Sequence, residues 1–194
     1  MDTDRDVEGL ILCGGSGSRM HGEEKGLREF RGKPAVAIAA DVLAPLCRVV
    51  HISANRNLEA YEALDLGPVR ADRRDGFQGP LAGVEQLAPH LQADVLLLLP
   101  CDMPLLSGEV PTRLLTVLRS EPELQLTYAR GNGRDHFLCA ALRRLALQEL
   151  SAYLDDGHRA VRTWYATLTH RAVDFSPPSS LGLRNFNHPD DWTP

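Results

Sequence analysis

The sequence lacks several features that would assign the protein to a particular class. It has no basic surplus, because 21 Lys and Arg residues stand against 26 Asp and Glu residues and give a formal net charge of -5. Domains that bind nucleic acid usually carry a basic surplus, so we expect no nucleic-acid partner. No apolar run approaches the ~20 residues that a membrane-spanning helix requires, so we expect no membrane partner either. Repeats and low-complexity segments are also absent.

Cysteine is scarce, and the four cysteines lie far apart in the sequence. No two are spaced as in a CxxC metal or redox motif. Their apolar neighbours indicate that most are small core residues, while Cys13 and Cys101 lie at predicted strand ends, where a chemical role stays open. The first nine residues, MDTDRDVEG, are acidic and lack the basic and then apolar layout of a signal peptide. We therefore expect a reducing, cytoplasmic location.

What the sequence does contain is an alternation of apolar and amphipathic segments over its first 120 residues. The alternation predicts a parallel α/β sheet with right-handed crossovers, and continuous apolar runs indicate strands that are buried on both faces. The predicted strands are Val7–Cys13, Val49–Ser53, 68–72 and Val95–Leu99. The predicted helices run from Pro34 to Leu43, over Leu58–Leu64 with Asn57 as its cap, from about Leu81, and over Glu109–Ser120.

The pattern changes after residue 120. Residues 124–142 predict two strands around a Gly-Asn-Gly turn at 131–133. Helices are predicted within 145–154 and 159–168, and a late strand is predicted at His170–Phe175. A short final helix would follow, with Asn187 as its cap and Pro189 in its first turn.

The segment LILCGGSGSRM, residues 10–20, places three glycines and a lone arginine directly after the first strand. Backbone N–H groups of a glycine loop can approach a phosphate closely, and Arg19 and Lys25 would add positive charge there. The loop matches neither GxGxxG, whose third glycine is replaced by Met20, nor a P-loop, because Lys25 is followed by Gly26. The alternative is a plain strand-to-helix turn with solvated charges.

A second candidate is Asp102, at the tip of the apolar fourth strand. Ligands of open α/β sheets bind outside the carboxyl ends of the strands, so Asp102 would lie at the same edge as the glycine loop, Ser53, Asn55 and Asp72. A carboxylate in that position is suited to hold Mg²⁺, with water and phosphate completing the shell. The alternative is a carboxylate that caps the turn after the strand.

Motifs in the rest of the chain narrow the choice. LILCGGSGSRM followed by KGL closely resembles the LAGGxSxRMGxxK signature of nucleotidyltransferases with a dinucleotide-binding-like fold. Six further segments, in order along the chain, resemble the molybdenum cofactor guanylyltransferase (MobA) family: SANR (53–56), GPLAG (79–83), PCDMP (100–104), GRDHF (133–137), VDF (173–175) and NFNHPDD (185–191). The resemblance implies a three-layer α/β/α Rossmann-like nucleotidyltransferase fold with a mostly parallel central sheet. Residues 1–194 would form one domain, with 1–107 as its nucleotide-binding half and 108–194 as its acceptor-binding half.

The resemblance also implies a reaction. Members of that family transfer GMP from GTP to the terminal phosphate of the molybdenum–molybdopterin cofactor and release pyrophosphate. GTP and the molybdopterin cofactor would be the substrates, and proteins that supply or accept the cofactor would be transient partners. Mg²⁺, with Mn²⁺ as a substitute, would be held by Asp102.

The implied site residues fall into three groups. The catalytic group would be Arg19, Lys25 and Asp102. Leu12, Cys13 and Gly14 would bind the nucleotide through their backbone. Asp72 would contact its guanosine portion, and Pro80 and Leu81 would line the base pocket. The other residues that would bind the nucleotide are Gly15, Lys25, Ser53, Asn55 and Asp102. The acceptor would be bound by Arg134, His136, Asn185 and Asn187.

Three positions depart from the family's usual pattern. Ser53 stands where asparagine is usual, which makes Asn55 the candidate for the important amide. Glu24 replaces aspartate before the lysine, a mild change. Phe137 replaces the proline after the histidine of RDH, which bears on the shape of the acceptor pocket.

Some residues have two interpretations each. His136 would contact the acceptor or be structural, and Trp164 and Tyr165 belong to a helix core or stack on a pterin, the core being favoured. The arginines at 130, 134 and 159 would form a basic rim or remain solvated.

Two other functions remain open on the sequence. One is a related cytidylyltransferase or sugar-phosphate nucleotidyltransferase, and the other is a GTP-binding adaptor that delivers cofactor without catalysis. The sequence shows no Ser-His-Asp or Cys-His arrangement, which agrees with transfer to a phosphate that is already anionic.

Overall fold

The apolar runs of the sequence form the strands of one large sheet. A computed structural model of the protein describes residues 6–13, 24–76 and 78–192. The sheet contains β1 (Val7–Leu12), β4 (Val49–Ser53), β5 (Val69–Arg70), β6 (Val95–Pro100), β7 (Leu126–Gly131), β8 (Arg134–Arg143) and β9 (His170–Phe175). A separate hairpin consists of β2 (Glu29–Phe30) and β3 (Lys33–Pro34). The helices are α1 (Ala35–Leu43), α2 (Leu58–Glu62), α3 (Pro80–Leu87), α4 (Glu109–Ser120), α5 (Leu150–Asp155) and α6 (Val161–Tyr165).

The strand order within the described chain is β5-β4-β1-β6-β8-β7-β9. Strand β8 runs antiparallel to β6 and β7, whereas the other pairings are parallel. The expectation of a mostly parallel central sheet is therefore confirmed. The β6–β8 pairing joins the strands of residues 1–107 to those of 108–194, so both parts of the chain contribute to one sheet.

Two hydrophobic cores flank the sheet, as strands that are buried on both faces require. Every residue of β1 and β6 is buried. Within β1, Val7 and Ile11 face one core, while Leu10 and Leu12 face the other. The first core includes side chains of α1, α2 and α4, and the second includes side chains of α3, α5 and α6. These two helical layers confirm the three-layer α/β/α prediction.

A third, small cluster attaches the end of the chain to the hairpin. Phe186 packs edge-on against Phe30 and Trp192, with ring centroids 5.4 and 5.5 Å apart. Edge-to-face pairs of this kind are favourable beyond the area that they bury. The segment 185–187 is therefore held beside the β2–β3 hairpin, which follows Lys25 closely in sequence.

Most predicted elements are present, but three local expectations were wrong. Val49–Ser53, Glu109–Ser120 and His170–Phe175 have the predicted bounds, and the predicted turn is confirmed by the positive φ angles of Asn132 and Gly133. Asn57 does not cap α2, since its backbone is left-handed and its side chain makes no capping bond. The predicted helix in 145–154 is divided into a 3-10 turn, Arg144–Leu147, and α5. The third wrong expectation, the cap at Asn187, is described with the site.

No helix among the described residues is both long and apolar enough to traverse a lipid bilayer.

Candidate active site

The carboxyl ends of the parallel strands lie at one edge of the sheet and carry most of the predicted site residues. The ladder continues past the end of β1, because the Cys13 amide donates to the Ser53 carbonyl at 2.8 Å and the Cys101 amide donates to the Leu12 carbonyl at 3.1 Å. These bonds place the end of β1 between the ends of β4 and β6. Polar groups that directly follow these strands therefore converge, as the sequence predicted.

Lys25 and Asp102 are brought together at this edge although they are 77 positions apart. Lys25 Nζ lies 3.3 Å from Asp102 Oδ2 and donates a shorter, 2.6 Å bond to Asn187 Oδ1. Their side chains are 24% and 16% exposed, so the pair is partly open to solvent. An ammonium and a carboxylate in this position can bind a phosphate group and a cation side by side.

Asn185 completes this group by donating from Nδ2 to Asp102 Oδ1 at 2.7 Å. Both carboxylate oxygens of Asp102 thus have a partner, and the plane of the carboxylate is fixed. The Phe186 amide also donates to the Asp102 carbonyl at 2.7 Å, which anchors the backbone of the segment at the same point. We call Lys25, Asp102, Asn185 and Asn187 the phosphate-side cluster.

The predicted capping role of Asn187 was wrong, because its side chain is used by Lys25. The Asp191 carboxylate instead accepts from the backbone amides of Asn187 and His188, each at 2.9 Å. The amide of His188, followed by that of Asn187 and by Arg184, lowers the pKa of Asp191 below its ordinary value. Asp191 therefore caps the final turn by accepting from backbone amides. The side chain of Asn187 takes no part in this capping and accepts the hydrogen bond from Lys25 instead.

Glu24, the residue before Lys25, is held by two side chains from the part of the chain that follows β4. Its carboxylate accepts from Arg56 Nε at 2.6 Å and from the Tyr61 hydroxyl at 3.1 Å. A Cβ atom at Gly26 would lie 2.5 Å from the Tyr61 hydroxyl oxygen, so glycine is required there for close approach. Sequence reasoning missed Arg56 and Tyr61. The one signal in the sequence was the position of Arg56 at the end of the SANR motif, shortly before the helix that carries Tyr61.

A second group of polar residues forms beyond the ends of β4 and β5. Asn55 makes two bonds to Asp72, donating from Nδ2 to its carboxylate and accepting from its backbone amide, both at 2.8 Å. The Ser53 hydroxyl lies 3.5 Å from the other carboxylate oxygen, which is long for a hydrogen bond. Burial raises the pKa of Asp72, while bonds from Asn55 and Ser53 oppose that rise. Asn55 is thus the amide that holds this carboxylate.

The start of α3 lies next to this second group. Gly79 precedes the helix with a φ of 84°, a left-handed value that favours glycine, and Pro80 occupies the first turn. Leu81 is 1% exposed and packs in the core with Leu10 and Leu12. Its side chain therefore supports the wall of the site from behind, whereas Pro80 is partly exposed.

The predicted acceptor residues on β8 lie at the same edge, because β8 begins where β6 and β7 end. Arg134 is exposed, and His136 is half-buried with Nε2 3.4 Å from the Gly131 carbonyl. Burial lowers the pKa of His136, so the ring is mainly neutral near pH 7. Arg130 is paired with Asp135 at 2.6 Å.

The aromatic residues near β8 belong to the core. Trp164 and Tyr165 are each 1% exposed, which confirms the core interpretation over pterin stacking. Tyr165 donates its hydroxyl to the Phe137 carbonyl at 2.8 Å, and the Phe137 ring lies 4.9 Å from that of Tyr128. The phenylalanine that replaces the usual proline is thus integrated into an aromatic cluster.

The cysteines are buried and free, as expected for core residues. Burial, with a further contribution from the adjacent Cys101 thiol, raises the pKa of Cys13 well above its ordinary value. A thiol with a raised pKa is a poor nucleophile. The predicted backbone contacts of Gly14 and Gly15 and the predicted catalytic role of Arg19 lie outside the described residues.

Comparison with known proteins agrees with this geometry. Residues 9–172 match the family model described as the MobA-like NTP transferase domain. The chain belongs to this family. A relative named molybdenum cofactor guanylyltransferase, from Shewanella woodyi, is 36% identical over 185 residues, which cover 95% of this chain and 92% of that protein.

Solved structures with 20% sequence identity or less to this chain share its fold. The crystal structure of molybdopterin-guanine dinucleotide biosynthesis protein A from Archaeoglobus fulgidus matches with a TM-score of 0.76 and 20% identity, covering 95% of this chain and 94% of that one. The structure of CMP:2-keto-3-deoxy-manno-octonic acid synthetase complexed with CTP matches with a TM-score of 0.72 and 16% identity, covering 96% and 95%. The fold alone therefore does not select the base of the nucleotide.

The oxygen ligand that the phosphate-side cluster offers, the carboxylate of Asp102, suits a magnesium site. Among residues 6–13, 24–76 and 78–192, no group of three or more His, Cys, Asp or Glu side chains is arranged to hold a metal ion. A site with a single carboxylate, Asp102, suits Mg²⁺, which is commonly bound through one or two carboxylates together with substrate phosphates and waters.

Proposed function

We propose that the protein transfers GMP from GTP to the terminal phosphate of the molybdenum–molybdopterin cofactor and releases pyrophosphate. The contact of Lys25 with Asp102 and Asn187 at the edge of the sheet carries this proposal, because it brings a cation and a carboxylate to one place. Membership of the MobA-like NTP transferase family and the 36% identical relative named molybdenum cofactor guanylyltransferase support it.

The reaction needs positioning and charge stabilisation more than it needs a strong base. An acceptor oxygen would form a bond to the α-phosphorus of GTP while the bond from that phosphorus to the bridging oxygen breaks. The bridging oxygen keeps the electron pair and leaves as part of pyrophosphate. A phosphate monoester is already mostly ionised near pH 7, so no protein base has to remove a proton from the nucleophile.

Lys25 would stabilise the negative charge that grows on the departing phosphates. Its ammonium is held by Asn187 and Asp102, and the Lys25 side chain is 24% exposed, so an anion can reach it without a large rearrangement. Arg19 would add a second cation. Asn185 and Asn187 would orient Asp102 and Lys25 and lie next to the acceptor.

Asp102 is the residue that would hold Mg²⁺, or Mn²⁺ in its place. When bound, the ion would neutralise phosphate charge and help to align the leaving group. The 2.7 Å bond from Asn185 to Oδ1 fixes the carboxylate, while Oδ2 faces Lys25. A phosphate that binds Lys25 would therefore approach Oδ2.

The remaining predicted contacts divide between nucleotide and acceptor. The backbone at Leu12, Cys13, Gly14 and Gly15 would bind phosphate, while Ser53, Asn55, Asp72, Pro80 and Leu81 would form the guanosine side. Arg134 and His136 would contact the acceptor. We propose this division because those of the residues that the structure describes lie at one edge of the sheet. The two-half organisation, the cytoplasmic location and the transient protein partners also stay predictions.

Two measurements test the function. Release of pyrophosphate from GTP, Mg²⁺ and the molybdopterin acceptor would distinguish an enzyme from a GTP-binding adaptor. Thermal stabilisation by GTP that greatly exceeds stabilisation by CTP would distinguish guanylyl transfer from cytidylyl transfer, because at equal concentration the ligand that binds the folded state more tightly stabilises it more. Equal stabilisation by both nucleotides, or no pyrophosphate with any acceptor, would contradict the proposal.

A further inference from the structure

The loop between β5 and α3, residues 71–79, is held in place mainly by side chains. Its described residues form no helix or strand, so few backbone bonds fix them. Yet the loop begins with Asp72 and ends at Gly79 and Pro80, which would form the guanosine side of the site. Whatever holds this loop therefore also sets the position of those groups.

Arg74 is the strongest anchor within the loop. Its Nε and one terminal nitrogen donate to the two carboxylate oxygens of Glu85 in α3, at 2.7 and 2.6 Å. Glu85 is only 7% exposed, and this parallel pair is the geometry in which arginine binds a carboxylate most firmly. Arg74 lowers the pKa of Glu85, in agreement with a charged pair.

The same loop is also tied to the helix that follows β8. The terminal nitrogen of Arg74 that contacts Glu85 also lies 2.7 Å from Asp155 Oδ1 and 3.3 Å from the Ser151 carbonyl, both in α5. Farther along the loop, Gln78 Oε1 accepts from Arg159 Nε at 2.7 Å. The loop therefore has two independent connections to residues 151–159.

We propose that Arg74 is a positioning residue for the guanosine portion of the nucleotide, acting by clamping the described residues of this loop, 72–76 and 78–79, against α3 and α5. This inference rests on the proposed function, because it assigns the loop to GTP. It extends that proposal by naming a residue outside the predicted site. Arg74 itself has no role in the phosphate-side cluster, which is built from residues 25, 102, 185 and 187.

The two sides of the site give the proposal a specific signature. Loosening the loop should weaken the binding of the whole nucleotide while leaving the binding of pyrophosphate unchanged. A general loss of structure would weaken both ligands. The kinetic counterpart is a raised KM for GTP with kcat nearly unchanged, since uniform loss of ground-state and transition-state binding has that effect.

The test is calorimetric titration of the full chain with GTP and, separately, with pyrophosphate, each in Mg²⁺ buffer. The variants are Arg74→Gln, which removes the charge, and Arg74→Lys, which keeps the charge without the paired geometry. Asp155→Asn removes only the negative charge of the exposed contact with α5 and leaves the bond to the Ser151 carbonyl in place. Arg144→Gln is the matched control, because Arg144 pairs with Asp94 on the surface at the opposite end of β6.

We expect Arg74→Gln to weaken the binding of GTP about fivefold to tenfold and to leave the binding of pyrophosphate unchanged. The loss of GTP affinity should be smaller for Arg74→Lys and smallest for Asp155→Asn. Arg144→Gln should match the wild type. Equal loss of both ligands, or no loss of either, would overturn the positioning role while the wild-type titration still upholds the proposed function. A wild type that binds pyrophosphate but not GTP would overturn both. If Arg74→Gln does not fold, the Arg74→Lys and Asp155→Asn titrations decide by the same criterion.

Discussion

The proposed phosphate side and the proposed guanosine side of the site are built in different ways. On the phosphate side, Asp102 is separated by Cys101 alone from the fully buried strand β6, and Lys25 is held against it by Asn187. On the guanosine side, Asp72 follows a strand of only two residues and depends on Asn55 for its position. The backbone that carries Asp102 is therefore fixed by the sheet, whereas the position of Asp72 depends on hydrogen bonds of side chains, those of Asn55 and of the loop that follows.

This difference has a physical consequence for how each side tolerates substitution. A central buried strand moves only if the core moves, so its tip stays in place when a neighbouring side chain is removed. A loop held by a few hydrogen bonds has many conformations available once one bond is lost. Substitutions on the phosphate side should therefore change the chemistry, while those on the guanosine side should change affinity.

The largest effect should follow the loss of either charged group of the phosphate-side cluster. Asp102→Ala and Lys25→Ala should each lower kcat by about 10³-fold, because each removes a charge that would act on the reacting phosphates. The readout is pyrophosphate release by purified protein, with circular dichroism to show that the fold is intact. Lys33→Ala, at an exposed lysine paired with Asp41, is the control. Full activity of Asp102→Ala would remove the proposed metal role.

On the proposed phosphate side, the position of Asp102 could be predicted from the sequence because this residue follows a long apolar strand. The run Val95–Leu99 ends abruptly before Asp102, and this boundary can be recognised without any structure. The convergence of strand ends at one edge then follows from the parallel topology. The contact of Asn185 with Asp102 depends on the packing of Phe186 between Phe30 and Trp192, which no local pattern encodes.

The guanosine side was anticipated only in part. Asp72 and Asn55 were identified, but the partners of Arg74 were not, because Glu85 and Asp155 lie 11 and 81 positions away in other elements. A lone arginine in a polar loop carries no sequence signal that distinguishes a clamp from a solvated charge. The capping prediction for Asn187 failed for a related reason: Asp191 and Asn187 both suit a cap, and only the distant Lys25 decides between them.

A smaller effect should follow Asn185→Ala, which frees one oxygen of Asp102. Loss of the 2.7 Å bond should lower kcat by about 10- to 100-fold, the range typical for groups that orient a metal ligand. Asn185→Asp should be worse, because a second negative charge would then face Asp102. His188→Ala, three positions along the same segment and exposed, is the control. Equal activity of the alanine and aspartate variants would show that Asn185 does not act through Asp102.

On the guanosine side, Asn55→Ala should raise the KM for GTP about tenfold with kcat within about twofold of the wild type. The variant removes both bonds that hold Asp72, yet leaves Lys25 and Asp102 in place. Initial rates of pyrophosphate release over a range of GTP concentrations give both constants. Asn57→Gly, two positions later, is the control, because Asn57 makes no capping bond and glycine suits its left-handed backbone. A fall in kcat at unchanged KM would contradict the division of the site into two sides.

The smallest effect should be seen in the pH dependence of the free energy of unfolding, which we expect to differ in sign between Asp72 and Glu85. The measurement is urea unfolding of Asp72→Asn and of Glu85→Gln, each compared with the wild type over a range of pH. Burial raises the folded-state pKa of Asp72, so the folded protein takes up a proton there before the unfolded chain does. Relative to Asp72→Asn, the wild type should therefore gain stability as the pH falls from the raised pKa of Asp72 to its ordinary value.

Glu85 should behave in the opposite way, because Arg74 lowers its pKa. Its contribution is complete above the ordinary pKa of a glutamate and is lost as the pH falls through the lowered value. Relative to Glu85→Gln, the wild type should lose stability on acidification. Curves of the same sign for both variants would show that the environments of Asp72 and Glu85 do not differ as described.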